Sequence, residues 1–386
     1  MKDSKASLVV LGSLSSDAIA AVGDAAAELD SPIRFVRHAT QLHGALAKAE
    51  ARVVVFDGSP ETARDACDAL RGGGATERVV LIAMTRERSD IAFLEMYQWG
   101  VDDLVDVDAR SLSRRLRALA AAGRPPAMAV RPRVVVAAPP SRWRMVVARS
   151  LTNAGIDARL VESAEEAIAN SDGATFVLAA DDLAPSGAVE ALAAARLGGS
   201  NALWVIAAAA KRVHDIERAL RGFQGVACID ALTPPDDVVF VGNELASSAP
   251  TELRTSPRVS FGTTVAFRAA GRDGDEVGFS YNVSAGGMYV RTLAPLDIGD
   301  EVWLELHPPR SDRRVRLMGK VAWRRGFGRV DTATAPPGFG VRVTCGMGDD
   351  RARYERSVAA LVDSSTRGRR APNTGVLPSA RSSAIV

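Results

Sequence analysis

The dipeptide Gly100-Val101 returns as Gly225-Val226, an offset of 125 residues, and it does not return alone. The runs Ala6-Ser7-Leu8-Val9-Val10, Val53-Val54-Val55-Phe56 and Val79-Val80-Leu81-Ile82 are echoed by Arg133-Val134-Val135-Val136, Phe176-Val177-Leu178 and Leu203-Trp204-Val205-Ile206. Each run is too short for a buried helix and is bounded by Asp or Gly, which predicts strands covered on both faces of a parallel sheet. Ala-rich, Leu-spaced stretches between them, such as Glu61 to Leu70, predict helices. Ile91, Leu94 and Tyr97 mark an apolar helix face before the first Gly-Val, and Val213, Ile216 and Leu220 mark one before the second. Strands alternating with helices give two tandem α/β units of (βα)5 type, over 6–122 and 131–248, joined at Gly123-Arg124-Pro125-Pro126.

After Pro250 the period changes to two. Val302, Leu304 and Leu306, then Val315, Leu317, Gly319, Val321 and Trp323, then Phe339, Val341 and Val343 alternate with polar neighbours. Half-buried antiparallel strands give this pattern. Turn signals at Asp273-Gly274, Gly286-Gly287, Gly299-Asp300 and Pro336-Pro337-Gly338 cut the region into five or six short strands, which predicts a small antiparallel β-barrel over 251–362. A C-terminal helix from about Asp349 to Val362 follows, with Ala352, Val358 and Leu361 on one side. Residues 363–386 hold few apolar residues and many Ser, Pro and Gly, and read as a disordered tail.

Acids and bases nearly cancel, 46 against 48, which argues against a nucleic-acid binder. Of the bases 43 are Arg, and the guanidinium fork suits phosphate and guanine edges. Cys67, Cys228 and Cys345 lie far apart with no CxxC pair, which excludes a disulfide framework or zinc site and fits a cytoplasmic location. Lys2 and Lys5 before an apolar run loosely imitate a secretory signal, but the run reads as the first strand of the first unit. No stretch approaches the length of a membrane span. The four histidines have no spacing for a metal or a triad, and Arg71-Gly72-Gly73-Gly74 lacks the Lys-Ser/Thr of a phosphate-binding loop. No nucleophile and base pair suggests an enzyme, and no cofactor is expected.

The tandem units resemble response-regulator receiver domains, which have a flavodoxin-like fold. That resemblance makes Asp57 the candidate phosphoacceptor at the end of strand three, with Thr85 ending strand four. Strand one, however, ends Leu11-Gly12-Ser13 without the carboxylates that would hold Mg²⁺, and Val107 stands where the family has lysine. The second unit departs further: Ala137-Ala138-Pro139-Pro140 ends its first strand, Asp181 stands near the acceptor position, and Thr233-Pro234 replaces Lys-Pro. Both units are therefore read as pseudo-receivers that make protein contacts.

Two motifs in the C-terminal third resemble those of the PilZ domain, a bacterial receptor for cyclic di-GMP. Arg254-Thr255-Ser256-Pro257-Arg258 matches the RxxxR arm, and Asn282-Val283-Ser284-Ala285-Gly286-Gly287 matches [D/N]xSxxG. The resemblance implies that Arg254, Arg258, Asn282, Ser284 and Gly287 bind cyclic di-GMP, Gly287 by letting backbone approach the ligand. The expected function is a cyclic di-GMP-binding signalling adaptor whose pseudo-receivers contact an unidentified protein partner. The alternatives are a PilZ-fold scaffold of motility or envelope machinery that binds no nucleotide, or a regulator phosphorylated at Asp57.

Overall fold

The computed structural model describes residues 8–46, 53–70, 79–121, 132–233, 235–246, 257–327 and 335–369. The first sheet is made of β1 (Leu8–Leu11), β2 (Ile33–Val36), β3 (Val53–Asp57), β4 (Val80–Thr85) and β5 (Asp103–Asp106), all parallel, in the order β2-β1-β3-β4-β5. Its helices are α1 (Ser16–Glu28), α2 (Leu42–Leu46), α3 (Pro60–Leu70), α4 (Asp90–Gln98) and α5 (Ala109–Ala121). The second sheet repeats the plan with β6 (Arg133–Ala137), β7 (Asp157–Val161), β8 (Phe176–Ala180), β9 (Trp204–Ala208) and β10 (Val226–Asp230), in the order β10-β9-β8-β6-β7. Read from the other edge this is the same order, the flavodoxin-like one. Its helices are α6 (Arg142–Asn153), α7 (Ala164–Ala169), α8 (Ala188–Leu197), α9 (Ala210–Ala219) and α10 (Pro235–Ala246).

The central runs are buried on both sides of their sheets, as continuous β-branched sequence requires: Val54, Val55, Val134, Val135, Val136, Val177 and Leu178 are wholly inaccessible. Ser15, Ser89, Ser141 and Ser163 each accept a backbone N–H at the start of α1, α4, α6 and α7, which fixes where these helices begin. One expected face is displaced. Ile91 is 78% exposed, and α4 instead buries Phe93, Met96 and Tyr97. That face meets Phe279 of the C-terminal domain, with the Phe93 and Phe279 rings stacked 6.0 Å apart.

The C-terminal domain comprises β11 (Val259–Ser260), β12 (Thr264–Ala269), β13 (Glu276–Ser284), β14 (Gly287–Arg291), β15 (Glu301–Leu306), β16 (Val315–Arg325) and β17 (Gly338–Gly346). Six of them close as β13-β12-β15-β16-β17-β14 and back to β13, and β11 adds to the outer edge of β13. The alternating residues fill the barrel: Val302, Leu304, Leu306, Val315, Leu317, Val321, Phe339 and Val341 share one core. Trp323 leaves the pattern, because a register shift between Val321 and Trp323 changes the phase of β16. It stacks instead on Tyr289 at 4.6 Å, across Gly340, where a Cβ would strike the indole.

Helix α11 (Asp350–Arg369) closes one mouth of the barrel. It inserts Tyr354 and Val358, both fully buried, with Leu361 beside them, while the expected Ala352 lies exposed. The helix runs past the expected end at Val362, since no proline interrupts the chain before Pro372. The rest of the expected tail and the Gly123–Pro126 joint lie outside the described residues. Among those described, no helix is long and apolar enough to cross a membrane.

Candidate functional site

Strand register assembles the site. β11 pairs antiparallel with β13 so that Val259 faces Val283 and Ser260 faces Asn282. Continued by one step, this register sets Arg258 across from Ser284. β13 then turns back into β14, pairing Asn282 with Tyr289, Val283 with Met288 and Ser284 with Gly287. Val283 and Met288 belong to the barrel core with Val259 packed against them. Side chains alternate along a strand, so Arg258, Asn282 and Ser284 turn to the outer face. Arg258 is exposed and Ser284 half-buried, whereas Asn282 is buried. Three of the residues expected to bind ligand thus meet on one surface, although 24 positions separate Arg258 from Asn282 in the sequence. Arg254 lies outside the described residues.

Arg342 belongs to the same surface. It pairs with Gly287 across β14 and β17, is exposed, and alternates with the buried Val341 and Val343. The alternation in Phe339-Gly340-Val341-Arg342-Val343 marks it as outward-facing, but only the strand pairing puts it beside the motif.

The hairpin between β13 and β14 is a two-residue turn, Ala285-Gly286. The Ser284 hydroxyl donates to the Gly287 carbonyl at 3.3 Å, and the Tyr354 phenol donates to the same oxygen at 2.8 Å. Burial pushes the Tyr354 phenol up, so it stays a donor throughout the neutral range. Gly287 also has a structural reason of its own. A Cβ there would collide with the Val341 carbonyl, so glycine lets β14 approach β17 and closes the barrel. The open position is Gly286, where a Cβ would meet nothing within 4 Å.

One wall of this surface comes from the second α/β domain. Phe240 of α10 packs edge-on against Tyr281 at 5.8 Å, and Tyr281 against Tyr289 at 5.8 Å. In the first turn of α10, Asp237 accepts the Ser260 hydroxyl and Asp236 pairs with Arg291 at the far end of β14. Burial pushes the Asp237 carboxyl up to about 7, with the Ser260 hydrogen bond opposing and the Asp236 charge reinforcing the shift. Arg291 also donates to the Val101 carbonyl at 3.1 Å and lies over the Tyr97 ring at 3.8 Å, so it joins all three domains.

The sequence-expected acceptor Asp57 ends β3, half-buried, beside Thr85 at the end of β4: a Cβ on Gly58 would come within 2.7 Å of the Thr85 Cβ. Asp106, ending β5, is held bidentately by Arg88 at 2.6 and 3.0 Å. Gly12 and Ser13 follow β1, where they offer no carboxylate. Among the described residues no group of three or more His, Cys, Asp or Glu could hold a metal. In the second unit Asp181 pairs with Arg212 at 3.0 Å.

Comparison with known proteins assigns the barrel. Residues 252–360 match the family model of the PilZ domain. Among solved structures, the Bacillus subtilis inhibitor of motility MotI/DgrA is 17% identical with a TM-score of 0.25, covering 30% of this chain and 53% of that one. This chain therefore spans about half the length of that protein. The PilZ domain with c-di-GMP of YcgR from Escherichia coli is 16% identical, TM-score 0.21, covering 30% of this chain and 94% of that one. A probable two-component system response regulator/GGDEF domain protein is 16% identical, TM-score 0.30, over 63% of this chain and 100% of that one. No curated protein matches the chain. Two flavodoxin-like α/β domains thus precede a six-stranded barrel whose motif hairpin and entering strand share one face, and residues 252–360 of this chain are a PilZ domain.

Proposed function

We propose that this protein is a non-enzymatic cyclic di-GMP receptor and signalling adaptor. Nucleotide is taken up on the outer face of the barrel, and its binding is transmitted to protein contacts of the two α/β domains. The observation that carries the reading is the β11–β13 register, Val259 with Val283 and Ser260 with Asn282, whose continuation by one residue sets Arg258 across from Ser284 and two residues from the partner of Asn282. Cyclic di-GMP presents two phosphodiester charges and guanine O6/N7 edges. An exposed guanidinium can bond either bidentately, Asn offers a donor and an acceptor, and Ser adds a hydroxyl. Arg342 supplies a second guanidinium on the same face.

Transmission follows from what the arm touches. Its strand β11 bonds through Ser260 to α10 of the second α/β domain, and β14 runs from the motif to the three-domain node at Arg291. Ligand that pins the 247–258 arm fixes how the barrel is held against its neighbours, and a partner reads that arrangement. Calorimetric titration with cyclic di-GMP, combined with hydrogen exchange across 247–258, tests both steps. Saturable heat and increased protection on adding nucleotide are expected. Absence of heat at tens of micromolar protein refutes the receptor, and unchanged protection refutes the ordering.

A further inference from the structure

The strand that follows Arg258 is held in part from outside the barrel. β11 has only two residues, and its pairing with β13 rests on Val259 and Ser260. A strand this short at a sheet edge does not fix its own position, since it offers few ladder hydrogen bonds and no second neighbour. Val259 and Phe261 pack on the barrel core, and the Ser280 hydroxyl donates to the Phe261 carbonyl at 2.6 Å, but the side-chain bond on the outward residue between them comes from another domain: the Ser260 hydroxyl donates to Asp237. Asp237 is itself well placed for this task. It sits in the first turn of α10, a twelve-residue helix. The neighbouring Asp236 is anchored by Arg291, and Phe240, one turn on, packs against Tyr281. The helix turn is thus clamped on both sides of Asp237.

From this geometry we propose that Asp237 of the second α/β domain is a positioning residue of the nucleotide site. It holds Ser260, and through Ser260 it fixes Arg258 opposite Ser284. The inference rests on the cyclic di-GMP reading of the barrel face and adds to it that the site is completed by a domain outside the PilZ region. A group two residues from a binding guanidinium matters because an orientation error of about one ångström disrupts bidentate bonding.

The test uses the full chain and cyclic di-GMP as probe, with affinity measured by calorimetry and thermal midpoint measured in parallel. Asp237→Ala and Ser260→Ala should each weaken binding about tenfold, the loss of the one hydrogen bond that holds Ser260 to α10. The double variant should bind no more weakly than either single one, because both act through one contact. Asp237→Asn should bind within about threefold of wild type, since its amide oxygen still accepts the hydroxyl. A merely structural role predicts otherwise: a lowered midpoint with affinity retained, or losses that add in the double variant. Either result overturns the proposal. Wild type that binds while Asp237→Ala binds equally well overturns the positioning role and leaves the receptor standing. Wild type that gives no heat overturns the receptor reading and the positioning role with it.

Discussion

Asp102 and Asp103 are consecutive in the chain, yet their carboxylates hold different domains. Asp102 accepts from Arg149 and Asn153 of α6, in the second α/β domain, and from the Leu81 amide at 2.7 Å. Asp103 accepts from the Leu293 amide at 2.8 Å and the Thr292 hydroxyl at 3.3 Å, both of the barrel, and from Arg115 at 3.2 Å. At the start of β5 the backbone turns these two side chains apart, so one dipeptide serves as the joint of the whole molecule.

That joint should be sensitive to truncation. Asp103 is wholly buried, and Arg115, also wholly buried, additionally bonds Glu276 and the Val277 carbonyl. Replacing Asp103→Ala strips a buried guanidinium and two barrel donors of a common acceptor. A loss of about 3–5 kcal/mol is expected, read from urea unfolding of the full chain.

Ligand binding should follow Arg258. Arg258→Ala is expected to weaken cyclic di-GMP binding by roughly ten- to a hundredfold, the worth of one charged hydrogen-bonding contact. Arg258→Lys should recover only part of it, because an ammonium cannot bond bidentately. The thermal midpoint of both variants should stay close to wild type, since interactions of an exposed side chain contribute little to stability.

Gly287 should behave unlike the other motif positions. In Gly287→Ala the new methyl group meets the Val341 carbonyl, so β14 and β17 must separate. The expected cost is about 1–3 kcal/mol of stability, seen as a lowered thermal midpoint without ligand. A lowered midpoint without ligand separates this opening of the barrel from any loss of ligand contact at the same position.

Asp237 gives the fold a pH dependence of stated sign. Burial pushes this carboxyl up to about 7 in the folded chain from the ordinary 3.8 of an aspartate, so between those values the fold retains a proton that the unfolded chain has released. Its contribution to stability is full below the lower value and is lost as pH rises through about 7. Asp237→Asn abolishes this, and from pH 4 to pH 8 its stability relative to wild type should rise by about 4 kcal/mol. Urea unfolding of both proteins across that range measures it.

Much of the architecture was legible because it depends on local pattern. Continuous β-branched runs marked the parallel strands, and alternation marked the barrel. The failures share a cause: they were decided by partners distant in sequence. Ile91 fitted a helical spacing, but α4 turned toward Phe279, which no local pattern reveals. Trp323 fitted the alternation until a bulge reversed its phase. Asp102 and Asp103 carry no local pattern that marks them as joint residues. Their partners lie on three other segments, and only the packed structure brings those segments together. At the candidate site the motifs gave Arg258, Asn282 and Ser284, whereas Arg342 and Asp237 needed strand register and domain packing to be seen.

The placement of Phe279, Arg291 and Leu293 has a practical consequence for anyone wishing to borrow the barrel as a sensor cassette. Phe279 and Leu293 lie in the hydrophobic cores of the first α/β domain, and Arg291 is buried against both neighbours. Cut out by itself, the cassette would display a greasy flank with a stranded cation at its centre. A workable graft would have to repaint that flank with polar residues or carry α4, α5 and α10 along as a cradle.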